Sequence, residues 1–215
     1  MKQMIMLIFT TVITTNIFAY EFQLNNKDLE YINNSPRKSF IQNRIKAYES
    51  LIEKIKNYED IRKISHINTF LNKIFSKYDI DSSSSLDYWA TPKEFLLQGH
   101  GDCEDYVISK YFTLLQLGIP KEKLYFSVVK VKAQKTNHMV LLYFKNKNSN
   151  PLVLDNLNFR VLPFNKRVNL TPLFAFNELD SYKLTREKFT QKVKIDWGKE
   201  DKWNNLLKRV YKLNE

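Results

Sequence analysis

The hydrophobic pattern of this chain changes its period near Gly118 and Pro120. On the N-terminal side, apolar side chains recur every three or four positions, which is the period of a helix. On the C-terminal side, β-branched and aromatic residues alternate with polar ones, as they do in strands. Because helices come first and antiparallel strands follow, the sequence predicts an α+β fold.

This pattern also places the individual elements. Helices are predicted over 36–57, 60–77 and Asp102 to Leu117, and a short amphipathic helix over Asp201 to Leu213. Strands are predicted over Lys123 to Ala133, Asn137 to Lys145 and Leu152 to Leu157, with further candidates over 159–164 and 182–195. The segment from Asp79 to Asp87 is polar and rich in turn residues, which predicts a loop.

The composition allows one folded domain. Of the 215 residues, 43% are hydrophobic, which is enough for a core and excludes a disordered chain. The net charge of +11 raises the question of nucleic-acid binding. The lysine and arginine residues are scattered, however, with no run of five and no glycine-rich phosphate loop. We therefore interpret them as a solvated surface and predict no nucleic-acid partner.

The first 19 residues have the features of a secretory signal peptide. Lys2 precedes an apolar stretch that ends at Phe18, and the small Ala19 precedes the predicted cleavage point. The stretch is too short and too often interrupted by polar residues for a good membrane anchor. We therefore predict a signal peptide over 1–19, Sec-dependent export, and a single mature domain over 20–215 that is not itself transmembrane.

The chain has one cysteine, Cys103, at the predicted start of the third helix. A single cysteine excludes an intramolecular disulfide and a multi-cysteine metal site. A helix N-terminus carries partial positive charge, which favours a thiolate, and free N–H groups that can hold an oxyanion. In an exported chain, a thiol with no partner for a disulfide is a candidate nucleophile.

Two residues on the predicted strands are candidates for activating this thiol. His138 lies at the start of the second strand and Asp155 near the end of the third. A turn over 145–151 places His138 directly opposite Asp155 or diagonal to it, and directly opposed side chains lie about 5 Å apart. The spacing therefore predicts a Cys103, His138 and Asp155 triad. His100, close to the cysteine in sequence, is the competing candidate for the base.

Three acidic residues, Asp102, Glu104 and Asp105, flank the cysteine. Negative charge beside a thiol raises its pKa, which opposes nucleophilicity. One explanation is a capping box, with Asp102 as the helix N-cap and Asp105 three positions later. The other is a bound divalent cation, and oxygen-only ligands favour calcium over zinc. The sequence leaves both explanations open.

Trp89 lies shortly before the cysteine, between the polar loop and the third helix. A protease that acts on extended peptides needs an apolar cleft next to its nucleophile. We therefore hypothesise an exposed groove with Trp89 at its edge, for a substrate or a receptor. The alternative is that Trp89 belongs to the hydrophobic core.

Five segments together resemble the bacterial transglutaminase-like cysteine proteinases. They are Asp87-Tyr88-Trp89-Ala90-Thr91-Pro92-Lys93-Glu94-Phe95-Leu96, Gly99-His100-Gly101-Asp102-Cys103-Glu104-Asp105-Tyr106, Lys110-Tyr111-Phe112, His138-Met139-Val140-Leu141 and Leu152-Val153-Leu154-Asp155-Asn156-Leu157. The resemblance implies a papain/transglutaminase-like fold, with an antiparallel sheet packed on the helix that bears the nucleophile. It implies that Cys103, His138 and Asp155 form the triad. It further implies Ca²⁺ ligands at Asp102 and Glu104, with Asp105 as a third.

The resemblance also implies a biological role, that of the periplasmic LapG-type adhesin proteases. The expected activity is a calcium-dependent cysteine endopeptidase that cleaves the N-terminal region of a large cell-surface adhesin and so controls adhesin release and biofilm attachment. The expected regulator is an inner-membrane cyclic-di-GMP receptor that sequesters the protease. A transglutaminase-type acyl transferase or amidase is the alternative, because it uses the same triad. A non-catalytic binding protein is a third class, against which the intact triad argues.

Overall fold

The computed structural model describes residues 20–77, 88–197 and 201–212. The predicted signal peptide and the predicted loop from Asp79 to Asp87 lie outside the described residues, so both stay predictions. Within the described part of the chain, no helix has the length and apolar character needed to span a membrane.

Six α-helices are described, and five of them precede the first strand of the main sheet. They are α1 (Asn26–Asn34), α2 (Lys38–Ile55), α3 (Asp60–Leu71), α4 (Pro92–Gln98), α5 (Cys103–Gln116) and α6 (Lys202–Lys212). The predicted helices correspond to α2, α3, α5 and α6, whereas α1 and α4 were not predicted. The predicted helix over 60–77 is too long, because the chain turns after Leu71 and Phe75–Ser76 forms strand β1.

The strands form two sheets of very different size. Strand β1 pairs in parallel with β2 (His100–Gly101). The main sheet has seven antiparallel strands in the order β6-β5-β4-β3-β7-β8-β9. Its members are β3 (Leu124–Val131), β4 (Asn137–Tyr143), β5 (Leu152–Asp155), β6 (Asn158–Pro163), β7 (Leu170–Phe176), β8 (Ser181–Leu184) and β9 (Phe189–Lys192). Helices followed by an antiparallel sheet confirm the α+β prediction.

Strand β7 was not predicted, although it lies next to the central strand β3. Its sequence contains Pro172, which has no N–H for a sheet hydrogen bond and argues against a strand inside a sheet. The structure accommodates the proline at a register shift, because Val128 pairs with Phe174 whereas Val129 pairs with Pro172.

Helix α5 is the central helix and packs against the middle of the sheet. Every residue from Asp105 to Leu114 is buried, with α3 and α4 on one side and β3, β4 and β5 on the other. Alternate residues of β4 face this core, such as Leu141, whereas Leu142 faces a second apolar cluster on the opposite side of the sheet. Burial of both faces explains why β4 is apolar almost throughout. Helix α5 is therefore packed against β4 and β5, the strands that carry His138 and Asp155.

Candidate active site

A sharp corner between α4 and α5 places Cys103 at the first position of α5. Gly99 caps α4 in the left-handed conformation, with φ of 74°. Gly101 follows with no room for a side chain, because a Cβ there would lie 2.6 Å from Oδ2 of Asp105 and 2.8 Å from the Phe95 ring. The two glycines thus allow the chain to reverse within a few residues and present the cysteine at a helix N-terminus.

Hydrogen bonds from the flanking acids stabilise this corner. Oδ1 of Asp102 accepts from the backbone N–H groups of Glu104 and Asp105, at 3.2 and 3.4 Å. Oδ2 of Asp105 accepts from the N–H of Asp102, and its Oδ1 accepts from the N–H of Ala90 at 2.8 Å. The predicted capping box is therefore confirmed. The contact with Ala90 also ties α5 to the segment before α4.

The Cys103 sulfur lies between a carboxylate and strand β4. The thiol donates to Oε2 of Glu104, with a separation of 2.8 Å, and the sulfur accepts from the backbone N–H of Met139. Burial raises the pKa of Cys103 well above its usual value, and the negative charge of Glu104 raises it further. These effects favour the neutral thiol, so forming the thiolate requires a base at the sulfur or a positive charge near Glu104.

Strands β4 and β5 bring His138 and Asp155 into direct contact. Nε2 of His138 lies 2.8 Å from Oδ1 of Asp155, and both side chains are buried. Leu141 pairs with Leu154, so His138 is diagonal to Asp155, the second of the two predicted alternatives. Since Nε2 is occupied by Asp155, Nδ1 is the ring nitrogen left to accept a proton. Met139 follows His138 in β4, so the hydrogen bond from the Met139 N–H to the Cys103 sulfur places the thiol next to the histidine.

Asp155 is an ionised carboxylate at neutral pH. Burial raises its pKa, but hydrogen bonds from His138, from the N–H of Leu157 and from Arg167 outweigh this effect and lower the pKa to about 2. The N–H of Leu157 lies 2.9 Å from Oδ1 and Nη2 of Arg167 lies 2.6 Å from Oδ2. A carboxylate held in this way accepts hydrogen bonds and orients the imidazole, and it does not donate a proton.

Sequence reasoning missed three polar residues around Asp155. Arg167 follows β6 and is 5% exposed. Asn72 follows α3 and donates from Nδ2 to the Asp155 carbonyl at 2.7 Å. Lys110 is fully buried on α5, and burial lowers its pKa to about 7 against the opposing effect of Asp155. Lys110 belongs to one of the segments that carry the family resemblance, whereas Arg167 and Asn72 carry no signal in the sequence. Only the folded chain shows that all three lie around Asp155.

Two further predicted site residues, His100 and Trp89, lie on the segments that precede α5. His100 lies in β2 and pairs with Phe75 of β1, on the sequence segment just before α5. Trp89 is only 6% exposed, and its indole packs edge-to-face on Trp197 with ring centroids 5.9 Å apart. The hypothesis that Trp89 borders an exposed groove is therefore wrong, because the indole is part of the core.

Of the three acidic residues around Cys103, Asp102 and Glu104 fit a cation site and Asp105 does not. The Asp102 and Glu104 side chains contact each other, and burial together with the charge of Glu104 raises the pKa of Asp102 to about 8. Two carboxyl groups in contact without an intervening cation retain a proton, which a divalent ion displaces. Asp105 differs, because both of its oxygens accept backbone N–H bonds, whereas Asp102 accepts its two through Oδ1. No group of three or more His, Cys, Asp or Glu side chains converges on one point within the described residues.

The family model of the bacterial transglutaminase-like cysteine proteinases matches residues 41–169, more than half of the chain. The chain belongs to this family. The matched range runs from α2 to the turn before β7 and includes Cys103, His138, Asp155 and Arg167. A comparison with curated protein sequences finds no match.

Solved structures of a relative confirm the transglutaminase-like cysteine protease fold of this family member. Calcium-bound LapG from Legionella pneumophila is 29% identical, with a TM-score of 0.70, over 86% of this chain and 97% of that one. EGTA-treated LapG from the same organism is 30% identical, with a TM-score of 0.71, over 86% and 96% of the two chains. The similarity thus extends over nearly all of the relative's structure.

Proposed function

We propose that this protein is a cysteine endopeptidase that uses Cys103, His138 and Asp155 as its catalytic triad. The observation that carries the proposal is the buried hydrogen bond between His138 of β4 and Asp155 of β5. This pair lies beside the start of α5, where the single cysteine of the chain is located. Family membership supports the same chemistry.

In the proposed reaction, each of these three side chains has one role. Nδ1 of His138 accepts the thiol proton, and the Cys103 sulfur attacks the carbonyl carbon of the scissile peptide. The partial positive charge at the N-terminus of α5 stabilises the oxyanion. The imidazolium then protonates the leaving amine as the C–N bond breaks. Water, deprotonated by His138, hydrolyses the thioester and restores the thiol.

We further propose that Asp102 and Glu104 hold Ca²⁺ beside the nucleophile. The contact between their carboxyl groups and the calcium-bound state of the Legionella relative support this. Bound calcium neutralises the negative charge that faces the sulfur and so favours the thiolate. Asp105, the third ligand implied by the resemblance, is left out because its oxygens hold the N–H groups of Ala90 and Asp102.

The proposed substrate is the N-terminal region of a large surface adhesin, and the proposed location is the periplasm. The proposed regulator is an inner-membrane cyclic-di-GMP receptor that sequesters the protease. These three proposals are supported by the resemblance to LapG-type proteases and by the predicted signal peptide.

Cleavage of a defined substrate tests the proposed function. The exported form of the chain is incubated with the purified N-terminal region of the largest repeat-containing surface protein from the same genome, in Ca²⁺ or in EGTA. We expect two fragments with one new N-terminus by mass spectrometry, in Ca²⁺ only, and none from Cys103→Ser. An intact substrate contradicts the adhesin proposal. Ammonia release with incorporation of a fluorescent amine, in place of new termini, assigns the acyl transferase.

A further inference from the structure

Arg167 is a buried cation whose main partner is the carboxylate of the proposed triad. It lies in the turn between β6 and β7 and is 5% exposed. Its Nη2 is 2.6 Å from Oδ2 of Asp155, and its Nε is 3.3 Å from Oδ1 of Asn169. Its Nη1 is buried and has no hydrogen-bond partner among the described residues. Burying a guanidinium lowers stability unless all of its hydrogen bonds to water are replaced by bonds within the protein. The buried position of Arg167 therefore calls for an explanation other than packing.

The two oxygens of Asp155 have separate partners. Oδ1 accepts from His138 and from the N–H of Leu157, whereas Oδ2 accepts from Arg167. Lys110 adds positive potential at Asp155 but forms no hydrogen bond to it. Arg167 is thus the described side chain that ties Oδ2 in place, and it keeps the carboxylate from moving away from Nε2 of His138.

This restraint has a chemical consequence at the histidine. A carboxylate only accepts hydrogen bonds, so Oδ1 facing Nε2 requires the proton to be on Nε2 in the neutral ring. Nδ1 is then unprotonated and is able to accept the thiol proton. We propose that Arg167 is a positioning residue that holds Asp155 so that His138 keeps its Nε2–H tautomer. The effect on turnover rests on the proposed peptidase function, whereas the effect on the tautomer does not.

A purely structural role for Arg167 is the competing explanation, because the residue also fixes the turn before β7. Arg186 provides a matched control for that explanation. Its Nε donates to the Leu170 carbonyl at 2.7 Å and its Nη2 to the Val168 carbonyl at 3.4 Å. Arg186 therefore anchors the same turn from the other side with the same type of group, and its guanidinium hydrogen-bonds to backbone carbonyls there.

Nitrogen NMR of histidine distinguishes the two explanations directly. The chain contains three histidines, so ¹⁵N-histidine labelling gives few signals, and His138→Gln identifies those of His138. In the wild-type protein at neutral pH we expect separate shifts for a protonated Nε2 and a bare Nδ1. In Arg167→Gln we expect the two shifts to move toward each other, because the tautomers exchange. Arg167→Lys keeps the charge and one donor, so it restores part of the separation, and Arg186→Gln leaves the wild-type spectrum.

Alkylation of Cys103 by iodoacetamide gives a second measurement that needs no substrate. At neutral pH in the presence of Ca²⁺ we expect Arg167→Gln to slow alkylation about 10-fold, because displacement of a catalytic group by a fraction of an ångström costs rates of this order or more. We expect no further slowing by Arg167→Gln in an Asp155→Asn background, since Arg167 acts through Asp155.

The proposal is overturned if folded Arg167→Gln keeps the wild-type tautomer, or if Arg186→Gln changes the tautomer to the same extent. Should Arg167→Gln not fold, Arg167→Lys decides, because its weaker hold on Oδ2 must leave the two nitrogen shifts of His138 closer together than in the wild type, and an unchanged spectrum overturns the proposal. Failure of peptide cleavage with these NMR results intact would count against the peptidase and not against the role of Arg167.

Discussion

Asp155 illustrates how one residue's partners determine the direction of a proton transfer. Arg167 takes one carboxylate oxygen and His138 the other. In Asp155→Asn, the amide oxygen is expected to stay with Arg167, so the amide NH₂ faces Nε2 of His138 and donates to it. The proton then moves to Nδ1, which is the wrong nitrogen for accepting from the thiol.

We therefore predict that Asp155→Asn lowers kcat for adhesin-fragment cleavage about 10³- to 10⁴-fold. Initial rates at neutral pH measure the loss, and circular dichroism checks that the variant is folded. Asn156→Ala, which changes the neighbouring residue in the same turn, is the control and should retain most of the activity. An Asp155→Asn enzyme within tenfold of wild type contradicts this role.

Glu104 is predicted to act in opposite directions with and without calcium. Its charge raises the pKa of Cys103, so Glu104→Gln in EGTA should lower that pKa and speed alkylation by iodoacetamide at neutral pH. Each unit by which the thiol pKa falls gives up to about 10-fold more thiolate. In Ca²⁺ the order should reverse, because the variant has lost a proposed ligand. Exposed Glu187→Gln is the control, and the same rank order in both buffers argues against calcium at this position.

At the scale of an element, the corner between α4 and α5 leaves no space for a side chain at Gly101. Its added Cβ would lie within 2.8 Å of both Asp105 and Phe95. We predict that Gly101→Ala lowers the free energy of unfolding by about 1–3 kcal/mol and slows Cys103 alkylation, because the start of α5 must shift. Urea unfolding and iodoacetamide labelling measure the two effects.

Gly118→Ala separates stability from site geometry in that experiment. Gly118 has φ of 82° and open space around its Cα, so alanine there costs about 1–2 kcal/mol through backbone strain alone. We expect this variant to be less stable but to alkylate at the wild-type rate. Equal slowing in both variants would falsify the idea that the corner itself positions the thiol.

For the whole molecule, the pKa of Asp155 predicts a loss of stability in acid. The folded-state pKa of about 2 lies below the usual value of 3.8. The resulting stabilisation is fully present above pH 4 and is lost as the pH falls through 2, because the unfolded chain takes up the proton first. The shift corresponds to about 2–3 kcal/mol.

Urea unfolding of the wild type and Asp155→Asn between pH 7 and pH 2 measures this contribution. We expect the wild-type free energy of unfolding to fall about 2–3 kcal/mol more than that of the variant, mainly between pH 4 and pH 2. Exposed Glu187→Gln is the control, and its free energy of unfolding should follow the wild-type curve in acid. Parallel curves for wild type and Asp155→Asn indicate that the ionised carboxylate does not stabilise the fold.

The features that the sequence determined by itself are those set within a few residues along the chain. The N-cap at Asp102 and the glycines before it define the start of α5 through local hydrogen bonds and backbone freedom. The alternation in β3 and β4 marks both strands. The short connection between β4 and β5 is enough to bring His138 to Asp155, though not to choose the diagonal over the direct arrangement.

Tertiary structure alone decided the features that join distant segments. Helix α4 has seven residues, too few for a periodic pattern, and depends on its cap and on packing against α5. Strand β7 contains a proline that the sheet tolerates only through a register shift. Trp89 is buried because Trp197, far along the chain, covers it. Arg167 and Asn72 reach Asp155 from 12 and 83 positions away, and such partners exist only once packing has fixed the backbones.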